Sequence, residues 1–371
     1  MKFTCVKSDL SQAVQVASRS VSSKPGTPIL SGIYLCAKDD TLEVQATDFS
    51  LGVIIKIKAD VDTQGETVVS GKYLQEVVRA LPDDEVAVTY DRASKLIKIS
   101  SGYSNFNLLS MNADDYPKIN PIDGEHKFVV KSPLLKELIR RTAFACGVDE
   151  ERPVFMGALL EIENDSIRMV ATNIHRMSCY EGKLEESGEG KFQYIVPKRV
   201  LEEIQHIMTG EIPENVIICA TKSEIIFKTE RFYLSSRLIE GTFPDYEKAI
   251  PKEFATRVTL SSSVFTSAIG RVGLIARSSD YNTIRLIFNM GEVHISSDNP
   301  IVGRAEETVT ASIDGDDIKI SFNAAYLMDV MKVIGSDEFV LHMNTPIKTA
   351  VISETENENY LYVVTPLRTK D

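Results

Sequence analysis

Two segments of the chain place basic and hydrogen-bonding side chains beside apolar ones. One contains His175 and Arg176, and the other is the C-terminal stretch from Tyr362 to Arg368. Together with Asp245, His175 and Arg176 form a polar set that could transfer protons in a hydrolase or another enzyme. The elements that position these residues must decide whether they come together in this way.

Motifs that would support catalysis are missing from the sequence. It has no Walker loop, Rossmann fingerprint, G-x-S-x-G or H-E-x-x-H motif. The five histidines are scattered, without the spacing of a metal site. The five cysteines form no C-x-x-C pair and are predicted to be buried free thiols. We therefore expect no catalytic residue, no metal and no cofactor.

Composition indicates an ordinary globular protein. The chain has 371 residues, 43% of them hydrophobic and 25% charged. No apolar run approaches 18 residues, so no membrane span or membrane partner is expected. The N-terminus leads directly into a predicted strand without a signal peptide, which predicts a cytoplasmic location.

A short pattern of strand, polar residue and amphipathic helix recurs six times, every 60 to 67 residues. Such a period indicates that one unit has been repeated. The six predicted strands are Lys2 to Val6, Glu66 to Val69, Lys127 to Val130, Gln193 to Val196, Arg257 to Leu260 and Ile318 to Phe322.

The units also pair, with a period of about 125 residues. Thr47-Asp48, Thr172-Asn173 and Ser297-Asp298 follow similar strands at spacings of 125 residues. Proline-containing connectors at Pro117 and Pro244 lie 127 residues apart. The sequence therefore predicts three domains, at 1–125, 126–252 and 253–371. Each would be of the α+β class, with two helices packed on antiparallel sheets.

The helix starts also follow the pairing. In the first, third and fifth helices an apolar residue, Leu10, Leu134 or Val264, marks the same position of the repeat. Ser8, Ser132 and Ser262 stand two residues before these positions, where a hydroxyl could cap the first turn. In the second, fourth and sixth helices the corresponding apolar residues are Leu74, Leu201 and Leu327. Ser70, Pro197 and Asn323 stand four residues before them and are predicted N-cap or first-turn residues.

Charge is segregated between the predicted helices and the remainder of the chain. The net charge is −12, but the six helix segments carry +8 and all other residues carry −20. A shared helix face would then be weakly basic, which suits contacts to nucleic-acid phosphates without base recognition. The alternative is an ordinary solvated helix face.

Two local motifs add a family resemblance. Val170 to Met177 resembles the A-T-D-G-H-R-L segment, and Tyr362 to Arg368 resembles the Y-V-V-M-P-M-R ending, of the bacterial DNA polymerase III sliding clamp family. The resemblance runs along the whole chain. It also includes Met1 to Thr4, Pro28 to Leu30, Phe243 to Tyr246, and Phe322, Asn323 and Tyr326.

The resemblance implies three repeated DNA clamp domains that form half of a closed ring. The expected protein is a non-catalytic processivity factor, a head-to-tail homodimer that encircles duplex DNA without sequence specificity. It would tether the DNA polymerase III alpha subunit. Through linear peptide motifs it would also dock the clamp loader, other polymerases and mismatch-repair or ligase-type proteins.

The resemblance also assigns site residues. The expected DNA contacts are Lys24, Arg79, Arg141, Lys198 and Arg199. The expected dimer interface contains Phe106 and Leu108 at one end of the chain's arc and Leu274 and Ile275 at the other, with core packing as the alternative.

An apolar cleft between the second and third domains is expected to accept a Leu or Phe peptide anchor, while polar groups at its rim hold the peptide backbone. Its expected residues are Phe155, Thr172, His175, Arg176, Met177, Pro244, Asn323, Tyr326, Ile347, Val363, Val364, Pro366, Leu367 and Arg368. For His175, a structural hydrogen-bonding role is the alternative to peptide contact.

Several positions depart from the family pattern. Asn173 and Ile174 stand where Asp-Gly is common, and Ile174 lacks the backbone freedom of glycine. Thr365 replaces a common methionine, which makes one cleft wall less apolar. These changes affect the expected peptide preference more than the fold. A protein-binding scaffold of the same ring shape, without a DNA role, remains the alternative function, with an enzyme on a duplicated fold behind it.

Overall fold

The structure is a computed structural model that describes residues 1–22, 26–82, 84–185, 190–208, 213–277 and 281–368. Over these ranges it contains six α-helices. They are α1 Lys7–Arg19, α2 Gly71–Ala80, α3 Ser132–Thr142, α4 Lys198–Ile207, α5 Ser262–Ala276 and α6 Ala324–Met331. Each follows one of the six predicted strands, so the sixfold pattern is confirmed. None of these helices is both long and apolar enough to span a membrane.

The same ranges contain 26 strands. Those in the first half of the chain are β1 Lys2–Val6, β2 Gly32–Lys38, β3 Thr41–Thr47, β4 Leu51–Lys58, β5 Asp60–Thr63, β6 Gly65–Ser70, β7 Glu85–Asp91, β8 Leu96–Ser101, β9 Ser104–Met111, β10 His126–Lys131, β11 Gly157–Glu163, β12 Ser166–Thr172 and β13 Arg176–Lys183. Those in the second half are β14 Lys191–Pro197, β15 Asn215–Ala220, β16 Glu224–Lys228, β17 Phe232–Arg237, β18 Thr256–Ser261, β19 Thr283–Asn289, β20 Glu292–Asn299, β21 Gly303–Thr310, β22 Ser312–Gly315, β23 Ile318–Asn323, β24 Glu338–Met343, β25 Ala350–Glu354 and β26 Tyr360–Val364.

The chain forms two compact units. The first contains Met1–Pro133 and Arg199–Leu238, and the second contains Leu134–Lys198 and Ile239–Asp371. The segment predicted as the second domain supplies β10 and β15 to β17 to the first unit and β11 to β14 to the second. Every strand pair is antiparallel, which agrees with the predicted α+β class.

A thirteen-stranded sheet organises the first unit. Its strand order is β10-β15-β16-β17-β4-β3-β2-β6-β9-β8-β7-β1-β5. The pairing of β17 with β4 places Leu234 opposite Val53, so strands of two predicted domains share one sheet. Helices α1 and α2 pack together, and α1 also packs on β3 and β4. The buried face of α1 is made of small and aliphatic side chains such as Ala13 and Val14.

Two sheets organise the second unit. A nine-stranded sheet has the order β14-β11-β12-β13-β26-β25-β24-β18-β22, and a four-stranded sheet has the order β21-β20-β19-β23. The pairing of β13 with β26 places Met177 opposite Val363. Helices α5 and α6 pack together over a core that includes the fully buried rings of Phe265, Phe288 and Phe322. Because β13 joins β26, the two motif segments of the sequence become adjacent.

The predicted helix caps are only partly correct. Asn323 caps α6, since its side chain accepts a hydrogen bond from the backbone N–H of Ala325 at 2.9 Å. The prediction for Ser262 is wrong, because its hydroxyl donates to the carbonyl of Ser336 and α5 has no side-chain cap. Ser132 accepts a hydrogen bond from the backbone N–H of Glu214. Ser132 and Ser262 thus tie the starts of α3 and α5 to neighbouring loops, whereas the Ser8 hydroxyl in α1 donates to the adjacent Asp9 carboxylate.

Candidate functional site

An apolar cavity of about 220 Å³ lies in the second unit where β12 and β26 end and β13 begins. Its floor and walls are made mainly of Met177, Val363 and three aromatic rings, while threonines and Asp245 supply polar atoms. The lining residues are Phe155, Thr172, Ile174, Arg176, Met177, Phe243, Pro244, Asp245, Tyr246, Ala249, Thr349, Val363 and Thr365. Apolar walls with a few polar groups are typical of a pocket that accepts an anchor side chain. We call this space the docking cavity.

The turn between β12 and β13 forms one wall of the docking cavity. The Thr172 hydroxyl accepts from the N–H of Ile174 at 3.1 Å and donates to the carbonyl of Arg176 at 2.7 Å. The Asn173 side-chain oxygen accepts from the N–H groups of His175 and Arg176 at 3.1 and 3.0 Å. These Asx-type bonds fix the turn and leave His175 exposed.

Arg176 joins this turn to helix α6. Its guanidinium forms an ion pair with Asp329 at 2.7 Å, donates to the carbonyl of Phe144 at 2.7 Å and lies 4.6 Å from the ring centre of Tyr326. Burial opposes ionisation of Asp329, but Lys332 and Arg176 outweigh burial and lower its pKa. Arg176 therefore lines the cavity while its charge is already neutralised within the unit.

Tyr246 is held rigidly beneath the cavity. Its hydroxyl donates to the Glu161 carboxylate and accepts from the Arg168 guanidinium at 3.0 Å. Arg168 is itself paired with Glu181 at 2.6 Å. Burial, together with the bond to Glu161, raises the pKa of Tyr246, so the phenol stays neutral at physiological pH. Phe155 packs edge-on against Phe243, with ring centres 6.2 Å apart. The aromatic walls are thus preformed.

The end of the chain continues past the cavity. The Thr365 N–H donates to the carbonyl of His175 at 2.9 Å, and the Leu367 N–H donates to that of Ser321 at 2.7 Å. Pro366 is buried, Leu367 is half-buried and Arg368 is exposed. This segment is therefore fixed along the neighbouring strand ends.

The predicted cleft residues separate into two groups. Six of them line the docking cavity: Phe155, Thr172, Arg176, Met177, Pro244 and Val363. The others do not line it: His175, Asn323, Tyr326, Ile347, Val364, Pro366, Leu367 and Arg368. Of this second group, Ile347 is 67% exposed, and Val364 is fully buried within the sheet. The second group therefore contains both surface and core positions.

Several lining residues were not predicted. They are Ile174, Phe243, Asp245, Tyr246, Ala249 and Thr349, whereas Thr365 was expected in one cleft wall as a departure from the family pattern. Phe243 and Tyr246 lie beside Pro244 in a motif that could have suggested them. Two aromatic rings in a connector at the protein surface indicate an apolar site there. No comparable sequence signal marked Thr349 or Ala249.

The predicted DNA contacts occupy different environments. Arg79 is exposed in the last turn of α2, and Lys198 is half-buried at the start of α4. Arg199 is 47% exposed and forms an ion pair with Asp48 at 2.6 Å. Lys24 lies outside the described residues.

The prediction for Arg141 requires correction. Its side chain is only 8% exposed and is paired with Glu354 and Glu137 at 2.9 and 2.8 Å. Burial would lower the pKa of Arg141, but the two carboxylates outweigh it and raise the pKa. The guanidinium also lies 5.1 and 5.0 Å from the ring centres of Tyr180 and Tyr360. Arg141 is therefore a buried structural cation and is not placed to contact DNA.

Other helix cations are also paired with acids from strands and loops. Arg271 on α5 binds Glu307 on β21, with an Nε–Oε2 distance of 2.9 Å, and Arg199 binds Asp48. Glu307 and Asp48 were counted outside the helices in the sequence tally. The helix surface is consequently less positive than the value of +8 indicated.

The predicted interface residues lie on two surface elements, one in each unit. Phe106 and Leu108 are half-buried on β9. Only Ser110 and Met111 of β9 pair with β6, so within the described residues Ser104 to Leu109 is paired on one side only. Leu274 is 57% exposed on α5. The nearby strand β21 ends its sheet and therefore also has an unpaired edge.

The part of the chain that the structure describes shows neither a metal site nor a reactive thiol. Within the described ranges, no group of three or more His, Cys, Asp or Glu side chains could hold a metal ion. All five cysteines are free, and burial raises the pKa of Cys5 to about 12. Such a thiol is protonated at neutral pH and is a poor nucleophile. Cys5, Cys146 and Cys219 are buried, whereas Cys36 and Cys179 are half-buried.

Family models of the DNA polymerase III beta subunit match along the chain. The N-terminal domain model matches residues 1–120, the central domain model 129–245 and the C-terminal domain model 247–368. The curated beta sliding clamp of Bacillus subtilis is 30% identical, with the whole of both chains covered. The Staphylococcus aureus clamp is 28% identical, also over the full length of both.

Solved structures agree with the sequence comparisons. The B. subtilis sliding clamp superposes with a TM-score of 0.92 at 29% identity, covering 100% of both chains. A Pseudomonas aeruginosa clamp bound to griselimycin has a TM-score of 0.93 at 28% identity, again with both chains fully covered. The fold is therefore three DNA clamp domains, and the chain belongs to the beta sliding clamp family, the beta subunit of DNA polymerase III.

Proposed function

We propose that two copies of this chain form a head-to-tail ring around duplex DNA and act there as a non-catalytic processivity factor in the cytoplasm. The observation that carries the proposal is the full-length similarity to sliding clamps in both sequence and structure. The three domains proposed at 1–125, 126–252 and 253–371 are supported by the ranges of the family models.

Ring closure requires two complementary surfaces on each chain. The incompletely paired β9 carries Phe106 and Leu108, and α5 carries Leu274 and Ile275 beside the unpaired edge of β21. Pairing of β9 with β21 of a second copy would satisfy both strand edges and bury the apolar side chains between them. This arrangement supports a heterologous interface, and we propose that the ring closes with two copies.

A ring holds DNA by topology, so strong phosphate contacts are unnecessary. We propose Lys24, Arg79, Lys198 and Arg199 as weak, sequence-independent contacts. Partial neutralisation of Arg199 by Asp48 is compatible with this role, since tight phosphate binding would oppose sliding.

Retention on circular DNA tests the ring directly. After loading onto a nicked plasmid by its cognate clamp loader, the protein should co-elute with the circle and dissociate once the plasmid is linearised. The Leu108→Asp variant should not be retained, because a carboxylate would be desolvated in the proposed interface. Equal retention on circular and linear DNA would contradict encirclement. A protein-binding scaffold without a DNA role would give this result, because its retention would not depend on DNA topology.

Neutralising the proposed contacts should have a modest, salt-dependent effect. For Arg79→Ala combined with Lys198→Ala, the negative slope of log affinity against log salt should decrease in magnitude by about 2, because each phosphate contact contributes about 0.9 to this magnitude. Fluorescence anisotropy with a labelled duplex measures this slope. Lys191→Ala is the matched control, since Lys191 is an exposed basic residue of β14 paired with Glu163. The proposal would be wrong if the double variant and the control had the same slope.

We further propose that the docking cavity and its surroundings bind linear peptides of partner proteins. The partners would be the DNA polymerase III alpha subunit, the clamp loader, other polymerases and mismatch-repair or ligase-type proteins. The cavity accommodates the apolar anchor, while exposed His175 and Arg368 and the partly exposed Asn323 and Leu367 extend the surface for the rest of the peptide. Its preformed aromatic walls support binding without a large ordering cost.

A further inference from the structure

Ile174 has an unusual backbone conformation at the wall of the docking cavity. Its φ angle is +79°, a region that β-branched residues rarely occupy because of steric conflict with the backbone. The side chain is 48% exposed and lines the cavity. Backbone strain of this kind persists only when surrounding interactions enforce it. Here the bonds made by Thr172 and Asn173 do so.

The first unit contains the same turn 125 residues earlier, with Phe49 in the position of Ile174. Phe49 has a φ angle of +70° and is 61% exposed. The Thr47 hydroxyl accepts from the Phe49 N–H, and the Asp48 carboxylate accepts from the N–H groups of Ser50 and Leu51. The hydrogen bonds therefore set the turn, and the residue at the strained position is free to vary. The consequence at Ile174 is a side chain directed at the cavity.

The cavity itself is small. At about 220 Å³ it lies below the range of about 300–1,000 Å³ common for small-molecule pockets, so it suits a single anchor side chain. Met177, Val363 and Tyr246 are buried and fixed by the sheet or by hydrogen bonds. Pro244, Ala249 and Ile174 are exposed apolar residues on the lining, and Ile174 is the one that lies in the turn between β12 and β13. Its removal would widen the cavity at this turn without changing the buried walls.

We propose that Ile174 is a specificity-determining residue that limits the anchor of a docked peptide to an aliphatic side chain the size of leucine and excludes larger aromatic anchors. This inference rests on the proposed peptide-docking function. Physically, Ile174 supplies apolar contact to a leucine-sized group and a steric limit against a larger one. Specificity is then the ratio of the affinities for a peptide with a leucine anchor and the same peptide with a larger anchor. A general loosening of the turn would weaken both affinities and leave this ratio unchanged.

The test starts from a random heptapeptide library displayed on phage and selected on the wild-type protein. An enriched peptide is synthesised with its anchor as leucine or as tryptophan, and both are measured by fluorescence anisotropy. Ile174→Gly should shift the leucine-to-tryptophan affinity ratio by about tenfold towards tryptophan. Phe49→Gly is the matched control, because it makes the same substitution in the equivalent turn and should leave the ratio unchanged.

The outcomes separate the two proposals. Thr365→Trp is a variant whose new side chain fills the cavity. If every enriched peptide binds this variant as tightly as it binds the wild type, the docking function itself fails. If peptides bind the cavity but the ratio is the same in wild type and Ile174→Gly, the role of Ile174 is overturned. A ratio that shifts equally in Phe49→Gly would also overturn it, since the effect would then be unrelated to the cavity wall.

Discussion

Glu354→Ala is expected to lower the free energy of unfolding by about 3 kcal/mol. The Glu354 side chain is only 2% exposed and is paired with Arg141 at 2.9 Å. It also accepts a hydrogen bond from the backbone N–H of Gly335. Alanine would leave a buried guanidinium with one carboxylate fewer and a backbone N–H without its acceptor. Removing one partner of a buried pair costs about 3–5 kcal/mol, and the remaining Glu137 favours the lower end of this range.

Urea denaturation followed by circular dichroism measures this change. Glu137→Gln is the matched control, because Glu137 binds the same guanidinium but is 38% exposed, and its loss should cost less than about 1 kcal/mol. Glu354→Gln, which keeps the shape and an acceptor for Gly335, should fall between the two. Equal destabilisation by Glu354→Ala and Glu137→Gln would contradict the assignment of Arg141 as a buried structural cation.

Thr365→Trp is expected to weaken peptide binding by at least about fiftyfold. The Thr365 side chain is exposed and lines the docking cavity, while its backbone N–H is already bonded to His175. A tryptophan can therefore occupy the cavity without disturbing β26. Filling the cavity excludes the anchor, whose burial supplies most of the affinity in interfaces of this type.

Anisotropy with the selected heptapeptide measures the loss, and retention on nicked circular DNA should remain as in the wild type. Thr89→Trp is the matched control, since Thr89 is an exposed threonine on β7 in the other unit. Thr365→Met, which makes the wall more apolar, should instead strengthen binding by about threefold. Unchanged peptide affinity in Thr365→Trp would move the docking site away from this cavity.

The sequence predicted the repeated elements well because their signals are local. Each predicted strand lies within an observed one, and a helix follows it. Apolar residues at helical or alternating spacing identify the buried face of an element regardless of what covers that face. Asn323 was predicted correctly as a cap for the same reason, since its partner Ala325 is two residues away.

The errors concern residues whose environment is set by distant parts of the chain. Arg141 sits in a basic helix segment, but its partner Glu354 belongs to β25, which no local pattern connects to α3. Ser262 follows the preference for a helix cap, yet the loop at Ser336 provides a better acceptor. In both cases a tertiary contact replaced the interaction that the local sequence favoured.

By itself, the sequence determined the sixfold repeat, the α+β class and, through its motifs, the family. Only the tertiary structure decided which side chains enclose a cavity, which cations are neutralised by Asp48, Glu307 and Glu354, and that Ile174 holds a positive φ beside the docking cavity. The reason is physical: periodicity and capping depend on neighbours within a few residues, whereas cavities and ion pairs depend on which strands pair across the sheet.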